Sequence, residues 1–229
     1  MSGRPGQGLT LASEPRDFPD WHLGRPRFAL WAIALDDADV DTRLARVREA
    51  LGGLLLAGYR RQPHLTVQVC GFPVAAPARH DDFGAGRLEA QLDALARSRA
   101  APFELRIGDA FSFTSAACLS VQGDALPPLR ASLQRAAPSS DATPYVAHVT
   151  AGLYAGAWPL REVHERLASI PPAPALRVRV RALDWMCYDS ADIAGPLQTL
   201  LRFDLDGGGV RVADAALLRA VFGARGPAR

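Results

Sequence analysis

Residues 62–70 read QPHLTVQVC, an apolar and β-prone run that carries a histidine and a threonine two positions apart, His64 and Thr66. Side chains at positions i and i+2 of a strand point to the same face and lie about 6.6 Å apart. The spacing therefore predicts that His64 and Thr66 face one space. Leu65 and Val67 would then pack into the layer behind the strand.

The same triplet occurs a second time, in residues 144–153, which read PYVAHVTAGL. His148 and Thr150 are again two positions apart within an apolar run, whereas none of the other three histidines has a threonine at that position. Two copies of one chemical unit indicate two similar halves arranged around one site.

Each triplet is preceded by the same order of predicted elements. Residues 28–35 form a short apolar run typical of a buried strand, and residues 40–51 carry apolar side chains at i, i+4, i+7 and i+11, the pattern of an amphipathic helix. A strand over 117–122 and a helix beginning near residue 127 take the same places before the second triplet. The sequence therefore predicts an α+β fold in which strand, helix and His-x-Thr strand are repeated.

The remaining segments also show regular periodicity. We predict helices over 88–99, 159–170 and 212–222, and strands over 103–107, 110–114, 176–183 and 197–205.

The composition is that of an ordinary globular protein. The 229 residues are 48% hydrophobic and 22% charged, which suffices for a packed core. The formal net charge of +2 argues neither for nor against nucleic acid, so phosphate binding would have to come from the local placement of arginines. Three cysteines lie in apolar runs without metal-ligand spacing, which is typical of buried thiols in a reducing compartment. We expect a cytoplasmic protein.

Three segments are expected along the chain. Residues 1–26, rich in glycine, proline and arginine and without the apolar core of a signal peptide, are predicted to form a flexible N-terminal extension. Residues 27–206 would form the main domain, and residues 207–229 a C-terminal extension that is helical in part. No run approaches the roughly 18 apolar residues of a membrane span, so no membrane partner is expected.

These features resemble the 2H phosphoesterase superfamily, and most closely its 2′-5′ RNA ligase-like branch of RNA 2′,3′-cyclic phosphodiesterases. The resemblance rests on the two triplets, on the opening strand RFALWAIAL (27–35) and on the segment LDWMCYDSADIAGPLQTLLRFDL (183–205), which is similar to the closing hairpin of the family. Ala147 stands where the family usually has proline before the second histidine. The resemblance implies two pseudo-symmetric α+β lobes whose antiparallel sheets flank a central cleft.

The resemblance also implies a catalytic set, which is His64, Thr66, His148 and Thr150. Opening a 2′,3′-cyclic phosphate requires a base that takes a proton from water and an acid that protonates the departing ribose oxygen, and imidazoles with an ordinary pKa of about 6.5 serve both roles at neutral pH. The threonine hydroxyls would donate to the non-bridging phosphate oxygens. By resemblance His148 is the base and His64 the acid, with the roles exchanged if the other ribose oxygen leaves.

The reaction so implied is a metal-independent opening of 2′,3′-cyclic phosphate on RNA ends or nucleotides by a monomer without a cofactor, with 2′-5′ RNA ligase activity as a second capacity. Two alternatives stay open: a non-catalytic module that binds nucleotides or RNA ends, and a phosphodiesterase acting on another small phosphodiester. The two intact triplets favour an enzyme, because binding alone would tolerate glutamine or asparagine in place of either histidine.

Four further residues are candidates for substrate binding. Tyr145 could stack on a base, although three residues before the second histidine it would face the opposite side of a regular strand and serve the core or the rim. Phe72 shares the strand parity of the first histidine and would line the cleft or pack in the core. Arg60 and Arg61 precede the first triplet and would contact the phosphate tail or lie in a solvated loop.

The run His80-Asp81-Asp82 contains three potential metal ligands. Adjacent side chains of a regular strand cannot all point at one ion. We therefore predict a polar loop there and no metal site.

Overall fold

The computed structural model describes residues 8–139 and 143–223, which form ten strands and six helices. The strands are β1 (Arg27–Ala34), β2 (His64–Pro73), β3 (Asp82–Phe83), β4 (Phe103–Ser112), β5 (Ala116–Gln122), β6 (His148–Leu153), β7 (Leu176–Val180), β8 (Ala182–Asp189), β9 (Gln198–Asp204) and β10 (Val210–Val212). The helices are α1 (Pro19–His22), α2 (Ala38–Ala50), α3 (Ala85–Ser98), α4 (Leu126–Ala136), α5 (Leu160–Ala168) and α6 (Ala215–Phe222).

One sheet runs through the molecule in the order β10-β9-β8-β1-β2-β6-β5-β4-β7, and β3 pairs with β2 in parallel. The neighbours along the main path are antiparallel. The sheet divides into two lobes between β2 and β6, because these central strands share a single registered pair, Leu65 with Val149. The predicted α+β fold with two antiparallel lobes is confirmed.

The predicted repeat is present, since β1, α2 and β2 in one half correspond to β5, α4 and β6 in the other. Helix α2 shows why the pattern forms a helix. The side chain of Asp37 accepts hydrogen bonds from the backbone N–H groups of Asp39 and Val40, which caps the N-terminus. Val40, Leu44 and Val47 are buried on one face.

The helices of the two halves are exchanged between the lobes. Helix α2, which follows β1, packs against β6 and α5, whereas α4, which follows β5, packs against β2 and α3. Side-chain hydrogen bonds reinforce both contacts: Arg48 of α2 donates to the carbonyl oxygen of Ala151 at 2.8 Å, and Arg130 of α4 donates to that of Val67 at 3.2 Å. One apolar core therefore serves both lobes, and it lies on the sheet face opposite the two triplets.

The strand predicted over 176–183 is divided at Arg181 into two strands that belong to different lobes. β7 pairs with β4 at the edge of one lobe, and β8 pairs with β1 in the other. The core-facing positions change parity at the division, from Val178 and Val180 in β7 to Leu183 and Trp185 in β8. In the sequence the strict alternation ends at the same place, because Ala182 and Leu183 are adjacent apolar residues.

The other predicted elements agree with the structure more closely. The runs over 103–107 and 110–114 form one strand, β4, whose pairing with β5 is irregular between Ile107 and Ala110. The predicted helices correspond to α3, α5 and α6, and the last predicted strand to β9. Within the described ranges no helix is long and apolar enough to cross a lipid bilayer.

Residues 8–26 lie against the domain, which differs from the flexible extension expected there. Thr10 is buried, and Arg25 is only 7% exposed. The Arg25 guanidinium pairs at 2.7 Å with both Asp81 and Asp82, so the predicted polar loop holds this arginine. The composition of residues 1–26 does not indicate that Arg25 pairs with carboxylates more than 50 residues later in the sequence.

Residues 207–223 are also packed on the domain. β10 pairs with β9, and the ring of Phe222 in α6 stacks on that of Trp185 with the ring centroids 5.5 Å apart. Both rings are buried. Residues 1–7 and 224–229, the outer ends of the two expected extensions, lie outside the described residues.

Candidate active site

The two triplets lie side by side at the junction of the lobes, because their middle residues, Leu65 and Val149, are registered opposite each other. In an antiparallel pair each histidine then lies opposite the threonine of the other triplet. We call this set the central quartet: His64, Thr66, His148 and Thr150. Cβ atoms directly opposite lie about 5 Å apart and diagonal neighbours about 7–8 Å apart. The histidines occupy one diagonal and the threonines the other, a spacing that suits one tetrahedral anion.

Both imidazole rings are held in the same way. Nδ1 of His64 lies 2.8 Å from the carbonyl oxygen of Gln62, and Nδ1 of His148 lies 2.7 Å from that of Val146. Because a carbonyl oxygen only accepts, Nδ1 is the protonated nitrogen in each ring. Nε2 of each ring is therefore the atom that can exchange a proton with a ligand.

The surroundings of the two rings differ. His64 is buried, and loss of water around the ring lowers its pKa from 6.5 to about 4, although the hydrogen bond to Gln62 acts in the opposite direction. The charges of Arg61 and His148 lower this pKa further. His148 is half-buried, and its ring packs edge to face on Phe113 with centroids 5.0 Å apart. Without a ligand, His64 is a neutral imidazole at neutral pH.

The two threonines are fixed by neighbours that are distant in sequence. The Thr150 side chain lies close enough to those of Tyr59 and Cys118 to act on the pKa of each, in the direction opposite to burial. Burial raises the pKa of the Cys118 thiol to about 12, so the thiol stays neutral. The backbone oxygen of Thr66 accepts a hydrogen bond from the Tyr145 hydroxyl at 3.0 Å. These contacts limit the rotation of the strand ends that carry the quartet.

Two cavities adjoin the central quartet. The His64 cavity, about 360 Å³, has a lining that includes Ala34, Asp36, Asp41, His64, Asp184, Met186, Leu197, Thr199 and Arg202. The His148 cavity, about 660 Å³, has a lining that includes Thr66, Phe113, Arg130, Tyr145, His148 and Thr150. Both volumes fall in the usual range of small-molecule sites, about 300–1,000 Å³.

Two of the four candidate substrate-binding residues lie near the quartet. Tyr145 is exposed at the rim of the His148 cavity, and the guanidinium of Arg130 lies 4.4 Å from the centre of its ring. Arg61 stacks on Tyr188 at 4.0 Å and acts electrostatically on His64. Tyr145 was expected to face away from His148, as it would in a regular strand. The strand β6 begins only at His148, so this alternation does not apply to Tyr145.

The other two candidates lie apart from the quartet. Arg60 is exposed and pairs at 2.6 Å with Asp192. Phe72 shares the sheet face of His64, because the two one-residue shifts in the pairing of β1 with β2 add up to two residues and so restore the parity. The partners of His64 and Gly71 on β1, Ala34 and Ala29, are five residues apart, so Phe72 lies roughly 20 Å from His64 along the strand. The guanidinium of Arg25 also covers the Phe72 ring at 3.6 Å.

Sequence reasoning missed the ion pair in the His64 cavity. Arg202 of β9 donates from Nε and Nη2 to the two carboxylate oxygens of Asp184 in β8, at 2.6 and 2.7 Å. Asp184 is 2% exposed. The signal available in the sequence was a carboxylate inside the apolar run of β8, since a buried charge requires a partner.

The chain was compared with known families and structures. Residues 36–192 match a family model described as the 2′-5′ RNA ligase superfamily. TT0787 of Thermus thermophilus has 15% identity and a TM-score of 0.53, covering 80% of this chain and 100% of its own. E. coli LigT complexed with 3′-AMP has 18% identity and a TM-score of 0.52, covering 78% of this chain and 98% of its own. LigT complexed with ATP has 20% identity and a TM-score of 0.51, with coverage of 80% and 99%. No curated protein matches the chain. At these identities the structural similarity concerns the fold.

Proposed function

Because the chain belongs to the 2′-5′ RNA ligase superfamily, we propose that it is a phosphodiesterase that opens 2′,3′-cyclic phosphates of nucleotides or RNA ends with two histidines as acid and base. Family membership supports an enzyme of the 2H phosphoesterase type. The observation that carries the finer proposal is the central quartet, in which two imidazoles with available Nε2 atoms occupy one diagonal and two hydroxyls the other.

In the proposed reaction a water oxygen attacks the phosphorus atom while Nε2 of His148 takes a proton from that water. The bond between phosphorus and one ribose oxygen breaks, and Nε2 of His64 gives a proton to that oxygen. The products are a phosphomonoester on one ribose oxygen and a free hydroxyl on the other. Thr66 and Thr150 donate hydrogen bonds to the non-bridging oxygens, whose negative charge increases during the attack.

His64 serves as an acid only when it is protonated, yet burial holds its pKa at about 4. A phosphate anion about 4 Å away stabilises a unit positive charge by about 4 kcal/mol at an effective dielectric constant of 20. This energy corresponds to a rise in pKa of about three. Substrate binding would therefore protonate His64 near neutral pH and create the acid within the complex.

Nucleotides are the ligands to test first. E. coli LigT has been crystallised with 3′-AMP and with ATP, and we extend nucleotide binding to this chain as part of the proposal. The two cavities beside the quartet are large enough for a nucleoside on either side of the phosphate. With a ribose hydroxyl in place of water, the same groups would catalyse 2′-5′ ligation.

The proposal is tested by hydrolysis of an oligoribonucleotide with a 2′,3′-cyclic phosphate end, in EDTA, by the wild type and by His64→Ala and His148→Ala. We expect turnover by the wild type and a loss on the order of 10²–10⁴-fold in each variant, because each loses one proton-transfer group. His164→Ala, on the exposed face of α5, is the matched control and should keep wild-type turnover.

The outcome also separates the enzyme from its main alternative. A folded wild type that binds the oligonucleotide without turning it over would contradict the phosphodiesterase and favour the binding module. Turnover that disappears in EDTA and returns with added metal would contradict the metal-independent mechanism.

A further inference from the structure

One row of paired residues runs across the sheet from the central quartet to β9, in the lobe that contains β1 and β2. Cross-strand pairing runs from Arg202 in β9 to Asp184 in β8, Ala32 in β1 and Thr66 in β2. Paired residues point to the same face, so these four side chains share the face of the quartet. With strands about 4.8 Å apart, Asp184 lies about 10 Å from Thr66.

The ion pair with Asp184 turns the Arg202 side chain from β9 toward β8, the direction in which the central quartet lies. Both Arg202 hydrogen bonds go to Asp184, which lies one strand closer to Thr66. The guanidinium has five N–H donors, of which these bonds use two, and the Arg202 side chain is 41% exposed. The ion pair therefore fixes the direction of the guanidinium and leaves donors for a ligand.

The space between Arg202 and His64 suits an extended polar ligand. The residues between them on β1 are small, Ala32 and Ala34, and the His64 cavity contains both the imidazole and the guanidinium. Asp36, Asp41 and Asp184 also line this cavity, and Arg202 is the arginine among its described lining residues. An anionic group outside the central quartet would be attracted to the free donors of Arg202 and repelled by Asp36 and Asp41.

We propose that Arg202, positioned by Asp184, binds the 5′-phosphate of the nucleotide whose cyclic phosphate lies in the central quartet. This inference rests on the proposed function and adds a substrate preference to it. A separation of about 10 Å between Asp184 and Thr66 suits the two phosphates of one nucleotide, joined through its ribose. Arginine binds phosphate oxygens through charge-assisted, bidentate hydrogen bonds. The preferred substrate is then a 5′-phosphorylated nucleotide or the last nucleotide of an RNA chain.

The kinetic test compares adenosine 2′,3′-cyclic phosphate with and without a 5′-phosphate, and with a dinucleotide whose 5′-phosphate is a diester. For the wild type we expect kcat/KM to be higher by roughly tenfold when either phosphate is present. Arg202→Gln should lose this preference, so that its kcat/KM values on the three substrates agree with one another within about twofold. A preference for the dinucleotide alone would assign the subsite to RNA chains.

Arg211→Gln is the matched control. Arg211 is registered opposite Arg202 on β10 and forms an equivalent bidentate pair with Asp204, at 2.7 Å for both bonds, but it does not line the His64 cavity. This variant should keep the wild-type preference. Equal rates on all three substrates in the wild type, or a preference that survives Arg202→Gln, would overturn the inference. Turnover of none of them would instead contradict the proposed function.

Binding gives a readout that does not depend on turnover. Arg202→Gln leaves the Asp184 carboxylate buried without its partner, so a double variant, Asp184→Leu with Arg202→Met, removes both charges and keeps apolar volume. By calorimetry the wild type should bind adenosine 3′,5′-bisphosphate roughly tenfold more tightly than adenosine 3′-monophosphate. The double variant should bind both alike. Equal affinities in the wild type would rule out the subsite even in a protein without activity.

Discussion

At the scale of single residues, His64 and His148 share one hydrogen bond and differ in their exposure. Each ring donates Nδ1–H to the carbonyl oxygen two residues earlier, which selects the same tautomer in both triplets. Burial then separates them, because it removes water from His64 and holds that ring neutral. In the proposed reaction this difference assigns two roles to a chemically similar pair.

We predict that an anion in the central quartet raises the pKa of His64. The ring has a pKa of about 4 in the free protein, below its ordinary value, so it is neutral above about pH 5. Saturating sulfate, which does not titrate in this range, should raise the pKa toward about 7 through the attraction estimated above. Histidine ring signals in NMR titrations report the change, and His64→Gln identifies the signal. An unchanged pKa with bound sulfate would contradict the proposed origin of the acid.

The geometry of the triplets was predictable because it depends on local spacing alone. Two positions along a strand place side chains on one face, so the pattern of His64 and Thr66 needed no knowledge of other strands. The partners of Asp184 and the Tyr59 contact with Thr150 depend on which strands are neighbours and in which register, information that is absent from local periodicity.

At the scale of elements, the irregular end of β2 depends on Gly71. Its φ of 104° lies in the region that favours glycine, and a Cβ there would collide with the carbonyl oxygen of Asp81. That oxygen accepts a hydrogen bond from the backbone N–H of Phe72 at 2.9 Å, where β3 meets β2. We predict that Gly71→Ala lowers the free energy of unfolding by at least about 2 kcal/mol, measured by urea denaturation.

Gly86 provides the control for this prediction. It lies in the first turn of α3, where φ is ordinary for a helix and an added Cβ meets no atom within 4 Å. Gly86→Ala should leave stability unchanged or raise it by up to about 1 kcal/mol. Similar losses in the two variants would mean that the strain at Gly71 is not the cause.

The predicted strand over 176–183, which the structure divides into β7 and the start of β8, shows which information periodicity does not contain. The core-facing positions shift by one residue at the change of lobe, from Val180 in β7 to Leu183 in β8, and the alternation in the sequence ends there as well. The alternation does not tell which strands β7 and β8 pair with, and these partners belong to different lobes. For Phe72, parity gives the face of the residue and not its distance from the site.

At the scale of the whole molecule, the C-terminal helix completes the core of the first lobe. Phe222 is 1% exposed and stacks on Trp185, so Phe222→Ala would leave a large cavity. We predict a loss of about 3–5 kcal/mol in the free energy of unfolding, within a single cooperative transition. Arg219→Ala, exposed on the same helix, should change it by less than about 0.5 kcal/mol. A small effect of both variants would support an extension that is independent of the domain.

The exchange of α2 and α4 between the lobes has a consequence for motion. Each lobe rests on a helix that follows a strand of the other, so the lobes cannot rotate apart as separate rigid bodies without pulling helices from the common core. A hinge between the lobes would require a few backbone positions with sparse contacts. At the junction of β2 and β6 such positions are bridged, because α2 packs on β6 and α4 packs on β2. We infer that the width of the cleft is set when the chain folds, and that adaptation to a ligand occurs in side chains at the cleft and not through closure of the lobes.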